Sequence, residues 1–212
     1  MKLRINPYIF IYKSIGITWF VFFTVLSIIL SYLIIKKRAK HTTISQQRVE
    51  DTFFLIILVG FIGARITYVL INLNVYMDSL SYVFKLSHYN LSLGGGVLFG
   101  LFTIWFVSKM QNISFQELLK IFTPPFYISM AIGIWTMLFD GVMIGEEYSG
   151  IFSFNYLGGN RHLVTLYLTL LFIVSLILEL KKIKKISYKF RSLLILIVTI
   201  LLYYLIKNIF TL

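Results

Sequence analysis

Residues 14–35 read SIGITWFVFFTVLSIILSYLII, without a single charge, and Lys36, Lys37 and Arg38 follow at once. A helix needs roughly 20 apolar residues to cross a bilayer, whereas the apolar part of a secretory leader is shorter and ends at small residues. The stretch therefore reads as a retained first span with a cationic anchor at its end. Five further stretches meet the same requirement, at 52–73, 91–108, 121–139, 163–180 and 192–210. Composition agrees: of 212 residues, 58% are apolar and only 13% charged, with a mean hydropathy of +0.86. So few polar residues cannot cover one soluble core, since soluble domains carry about a quarter charged residues. A soluble globular protein is excluded. The expected fold is all-α, a polytopic integral membrane bundle of six transmembrane helices, or seven if 140–162 holds a further or re-entrant span. Residues 1–212 read as one transmembrane domain with an outer-side loop at about 140–162.

Orientation follows from the cations, because short Lys- and Arg-rich loops stay cytoplasmic. Lys36, Lys37, Arg38, Lys40 and Arg48 follow span one, Lys109 and Lys120 flank the turn after span three, and Lys181, Lys182, Lys184, Lys185, Lys189 and Arg191 follow span five. Six alternating spans place these three loops on the inner side, so 13 of the 20 cations set topology. The loops at 74–90 and 140–162, and both chain ends, then lie outside. Lys2, Arg4 and Lys13 near the N-terminus oppose that assignment. A net charge of +12 in a soluble protein would suggest nucleic acid. Here the cations lack interleaved aromatics on an accessible domain, so they read as topology signals against anionic headgroups, with no nucleic-acid partner. With no cysteine, disulfides, thiolate metal sites and a cysteine nucleophile are excluded together, and no metal or other cofactor is expected.

The informative residues are those that cost energy where they stand. Arg65, in the Gly60–Tyr68 stretch, falls roughly 4 Å beyond the midpoint of span two at about 1.5 Å rise per residue. An arginine at that depth costs at least about 2.5 kcal/mol by insertion scales, so it must face protein, water or a bound anion. Gly94, Gly95 and Gly96 open span three. Glycines at a helix start leave N–H groups accessible to a phosphate, and they also allow close packing between membrane helices. The outer loop carries Asp140, Glu146 and Glu147, and Arg161 and His162 stand at the mouth of span five. All these residues fall on the outer half, as one polar, partly cationic cavity would require. Such a cavity suits an anionic phospholipid headgroup, with arginines for the phosphate and a carboxylate or histidine for proton transfer.

The order of these features resembles the prolipoprotein diacylglyceryl transferases, bacterial membrane enzymes that use phosphatidylglycerol as donor. Ile17 to Phe20 looks like the aromatic start of the family's first span, Gly63 to Leu70 is similar to its Gly-Ala-Arg segment, and Ser92 to Gly100 to its His-Gly-Gly segment. Ala131 to Gly133 with the acidic loop ending at Gly150 falls where the family signature belongs, and Arg161-His162 with Tyr167 looks like its late Arg-His segment. The family's signature arginine falls on Ile134, its asparagine on Met137 and its histidine on Gly94.

The resemblance implies transfer of a diacylglyceryl group from phosphatidylglycerol to the lipobox cysteine thiol of a prolipoprotein signal peptide, at the outer face of the bacterial cytoplasmic (inner) membrane. It implies Glu146, Glu147 and His162 as catalytic candidates. Arg65, Tyr68, Gly94, Gly95, Gly96 and Arg161 are the substrate-binding candidates, and His88 is a substitute for the missing histidine. Two other readings compete: an inactive relative that binds membrane lipid or a membrane partner, and a small transporter subunit for which Arg65 would be a pathway charge.

Overall fold

A computed structural model of the protein describes residues 5–13, 15–77, 83, 90–181 and 190–211. The described residues form six long helices, two short ones and two separate β-hairpins. Five of the long helices, counting the fourth with the short helix after it, are long and apolar enough to cross a membrane. The fifth long helix in chain order, 17 residues, is shorter than the others. Many large apolar side chains point outward on these helices, Phe54, Leu58 and Phe61 among them. Lipid as solvent removes the penalty that water would impose on such faces.

The first span begins later than the sequence suggests. Strands β1 (Tyr8–Tyr12) and β2 (Ile15–Thr18) form an antiparallel hairpin, and helix α1 runs from Trp19 to Ala39. Ile17 and Thr18 are β-branched and pair readily in strands, so apolar content alone misplaces this boundary. Helix α2 spans Gln46–Ile71, short helix α3 Leu73–Tyr76, and α4 Leu93–Gln111. Helix α5 spans Phe115–Gly133 and continues, after a break at Ile134, in short helix α6 (Trp135–Phe139). Strands β3 (Ser153–Tyr156) and β4 (Gly159–His162) follow, then α7 (Val164–Leu180) and α8 (Arg191–Phe210).

The further span considered for 140–162 does not form. Its apolar residues Ile144 and Phe154 are buried beside Leu138 in a small extramembrane core, and the backbone pairs within the β3–β4 hairpin.

The chain divides into two compact units, Met1–Ile34 with Phe122–Leu212, and Ile35–Ile121. In the first, the serines of α1 meet α5 next to its paired prolines. Ser31 donates to the Pro125 carbonyl at 3.2 Å and lies 2.5 Å from the Ser129 hydroxyl, while Ser27 donates to the Ser129 carbonyl. Between α7 and α8, Ser175 and Thr199 share a buried hydroxyl contact of 2.7 Å. At the far end of that pair Ser192 donates to Glu179, and Arg191 donates to the carbonyls of Leu178 and Lys181. Glu179 thus joins the end of α7 to the start of α8.

The same unit fixes which chain ends share a side. Trp19 stacks on Phe139 at 4.4 Å, and Gly145 pairs with Thr211 beyond the end of α8. The start of α1, the 140–162 loop and the end of α8 therefore lie together, as an even number of crossings demands.

In the second unit, α2 packs most extensively on α4. The contact is made through glycines. A Cβ on Gly63 would overlap the Phe99 side chain, one on Gly95 would overlap Thr67, and Gly60 and Gly96 face each other's carbonyls. Small residues at such crossings let helix backbones approach closely, which is the main source of attraction between helices in lipid. Also within this unit, Arg38 donates to the Lys120 carbonyl at 2.7 Å, an acceptor left open because the residue four places on is Pro124, which has no N–H.

Candidate functional site

The loop after α6 is organised by a tight turn. Leu157 and Gly158, the two residues between β3 and β4, both have positive φ, 49° and 87°, the sign pattern of the primed turns that match strand twist. A third extended segment, 145–148, pairs with β4. His162 N–H donates to the Glu146 carbonyl at 3.0 Å, Tyr148 N–H donates to the Asn160 carbonyl at 2.9 Å, and Glu147 lies opposite Arg161. On its other edge this segment meets the chain end, where Glu146 N–H donates to the Phe210 carbonyl.

That register sorts the candidates, because successive side chains on extended backbone point to opposite faces. Arg161 and Glu147 share one face. Glu146, Tyr148 and His162 share the other. The two neighbours Arg161 and His162, which the sequence places together at one mouth, thus serve different surfaces.

On the first face, Arg161 Nη2 lies 3.9 Å from Glu147 Oε1 and Nη1 donates to the Gly145 carbonyl at 3.4 Å, while the Nε of Arg161 is buried with no hydrogen-bond partner. Glu147 is 82% exposed, so this pair is a loose surface contact. Such pairs contribute under about 1 kcal/mol. The guanidinium keeps donor capacity for an anion.

On the second face, the His162 ring stacks on Tyr148 with centroids 3.9 Å apart and meets Phe210 edge-on at 5.1 Å. Its Nδ1 lies 2.9 Å from the Tyr167 hydroxyl, one helical turn into α7. The tyrosine contact at Nδ1 fixes the ring's orientation. Glu146 is exposed beside it. Tyr148 and Phe210 were missed in the sequence; no motif marks them, and chain pairing alone brings them to the histidine.

In the second unit, Arg65 is buried, with 7% of its surface exposed. Helix α2 starts earlier than the predicted span, so Arg65 stands about 10 Å past the helix midpoint and nearer the membrane surface than the sequence suggests. Its Nε and Nη2 donate to the Val83 carbonyl at 3.1 and 3.0 Å, and Nη1 donates to the Asn90 carbonyl at 3.1 Å and the Tyr76 hydroxyl at 3.3 Å. The guanidinium also lies 5.4 Å from the centre of the Tyr76 ring. No motif marks Tyr76 as its partner. Arg65 thus ties Tyr76, Val83 and Asn90 to the end of α2. Tyr68 is half-buried in the next turn, where its carbonyl accepts from Asn72.

The glycines at the start of α4 are not a phosphate cradle. Gly95 N–H donates to the Ser92 hydroxyl at 3.3 Å, Gly96 N–H donates to the Ser92 carbonyl, and both glycines face α2. Ser92 N–H in turn donates to the Ala64 carbonyl, next to Arg65. Gly94 stands in the same first turn. His88 lies outside the described residues. Among the described residues, no group of three or more His, Asp or Glu side chains could hold a metal.

These features define a multi-pass helical membrane protein whose polar side chains gather at helix ends and on one extramembrane sheet. The model of the prolipoprotein diacylglyceryl transferase family matches residues 7–210, and the chain belongs to that family. It is 28% identical over 137 residues to the phosphatidylglycerol–prolipoprotein diacylglyceryl transferase of Finegoldia magna, covering 65% of this chain and 53% of that one. It is 26% identical over 152 residues to that of Clostridium novyi (72% and 58%), and 28% over 140 residues to that of Fervidobacterium nodosum (66% and 48%). The chain spans about half the length of the curated relatives it matches.

Proposed function

We propose that the protein transfers a diacylglyceryl group from phosphatidylglycerol to the cysteine thiol of a prolipoprotein, at the outer face of the bacterial cytoplasmic membrane. The observation that carries this reading is Arg161, a guanidinium in β4 just before α7 with a buried Nε that has no partner, a long bond to the Gly145 carbonyl and a loose carboxylate contact, in a chain whose residues 7–210 match the family. In the reaction a carbon–sulfur bond forms, the carbon–oxygen bond to the phosphate breaks, glycerol phosphate leaves with the bonding pair, and the thiol proton passes to a base.

Arg161 stabilises the charge that develops on the leaving phosphate, as a forked donor does for an anion. His162, oriented by Tyr167, takes the thiol proton, with Glu146 on the same face as the acid that balances its charge. Glu147 holds Arg161 until the headgroup arrives. Arg65, Tyr68 and Gly94 to Gly96 shape the α2–α4 end of the second unit, Arg65 through its bonds to Tyr76, Val83 and Asn90.

A second reading has its own observation. Ile134 is 3% exposed, an apolar core residue at the position where the family signature carries arginine. A relative that binds phospholipid without turnover would tolerate that exchange. Transfer of label from phosphatidylglycerol to a lipobox peptide in proteoliposomes separates the two. Labelled peptide, lost in Arg161→Ala, supports the transferase. Bound lipid with unlabelled peptide, from folded protein, supports the binding relative and defeats the transferase.

A further inference from the structure

The β1–β2 hairpin has no part in the chemistry above, yet it is the least water-compatible surface outside the helices. Tyr8, Ile9, Phe10, Ile11 and Tyr12 are all between 42% and 61% exposed, and Ile17 on the facing strand is 48% exposed. Alternation would bury one face of a strand that packs on a core; here neither face of β1 is covered. An isolated two-stranded hairpin is marginal in water.

The hairpin is nevertheless tied in place. Trp19 N–H, at the start of α1, donates to the Pro7 carbonyl at 3.0 Å, which closes the base of the hairpin onto the first turn of a membrane-spanning helix. It therefore sits where α1 enters the hydrocarbon. Aromatic side chains concentrate at that level, with apolar bodies in the acyl region and polar tips in the headgroups.

Charge selects the partner. Lys13 stands in the turn with its amine 5.6 Å from the Tyr12 ring centre, and Lys2 and Arg4 precede the hairpin in sequence. No Asp or Glu occurs before Glu50. A cationic segment with exposed aromatics matches an anionic lipid surface, where each nearby Lys or Arg adds to attraction.

We propose that β1–β2 is an interfacial anchor, seated in the outer leaflet with its apolar residues among the acyl chains and its cations on anionic phospholipid headgroups. Lipid headgroups on Lys13 also reconcile the expected outer position of this end with the usual bias of cations toward the inner side. The surface also enriches anionic phospholipid beside the protein.

The absence of cysteine makes a direct test possible on the full chain in vesicles. Fluorophores on Phe10→Cys and Ile11→Cys, with the exposed loop variant Ser149→Cys as aqueous reference, are read by quenching from nitroxide-labelled lipid. In vesicles containing phosphatidylglycerol, the hairpin labels are quenched several-fold more than the reference, and the excess falls in phosphatidylcholine alone and in Lys13→Glu. Quenching equal to that at position 149 overturns the anchor. Quenching indifferent to lipid charge and to Lys13→Glu overturns the anionic partner. Ile11→Cys chains that cross-link to each other in place of being quenched assign the surface to a second copy and overturn the proposal as well.

Discussion

Replacing Arg65 by lysine keeps the charge and removes the fork, and the consequence can be worked out from its contacts. Among the described residues the arginine makes four hydrogen bonds from three nitrogens, two of them to the Val83 carbonyl and one each to the Asn90 carbonyl and the Tyr76 hydroxyl. A lysine amine is a single point and cannot reach acceptors spread around a planar group. It retains one or two of them. Hydrogen bonds from charged donors contribute about 1.5–3 kcal/mol each, so losing one or two net interactions costs about 2–4 kcal/mol. For a chain of this size that corresponds to a fall in Tm of roughly 5–15 °C. Arg65→Ala leaves the three acceptors unpaired and costs about 3–5 kcal/mol, by analogy with broken buried ionic contacts. The assay is thermal unfolding in detergent micelles, followed by tryptophan fluorescence. A lysine variant that unfolds within roughly 2 °C of the natural protein refutes the reasoning: the fork would then not be what holds Val83 and Asn90 on α2. If such a variant also loses lipid binding, Arg65 faces the headgroup instead.

The α2–α4 crossing gives a second expectation: Gly63→Ala, whose methyl would meet the Phe99 side chain, destabilises by about 1–3 kcal/mol through overpacking, seen as a lowered Tm. Glu147→Gln changes stability by under about 1 kcal/mol, since the carboxylate is 82% exposed and 3.9 Å from its partner; a larger loss of Tm would mean that the ion pair is structural. Arg161→Ala lowers transfer to a lipobox peptide by about 10²-fold or more with stability little changed, the loss expected when one donor to a developing oxyanion is removed. Tyr167→Phe removes the hydroxyl 2.9 Å from His162 Nδ1, costs about 1 kcal/mol of stability, and shifts the pH profile of transfer if the ring carries the proton.

Phospholipid chemistry at a membrane surface asks a protein for two things: a place in the bilayer, and polar groups that survive next to it. Runs such as 192–210 state the first directly, because roughly 20 uncharged apolar residues have no other stable environment. The cation pattern then orders the sides, and the shared position of Trp19 with Phe139 and of Gly145 with Thr211 agrees with six crossings. Apolar content could not tell strand from helix, so residues 15–18 were absorbed into a span although they pair with β1. Arg65 was legible because burying a charge is costly wherever it occurs. Its partners were not, since two of the three acceptors are main-chain carbonyls that every residue carries.

Hydropathy and charge thus determined, from the sequence alone, that lipid is the solvent, that the chain is multi-pass and helical, and which few polar residues stand out. Tertiary structure decided what those residues do. Close packing of Gly63 and Gly95 against neighbouring side chains turned a candidate phosphate cradle into a helix contact. Strand register separated Arg161 with Glu147 from His162 with Glu146. Both outcomes rest on which atoms meet across long stretches of chain. Solvation energy is a property of each residue and can be read along a sequence, whereas pairing geometry exists only once the backbone has brought two distant segments together.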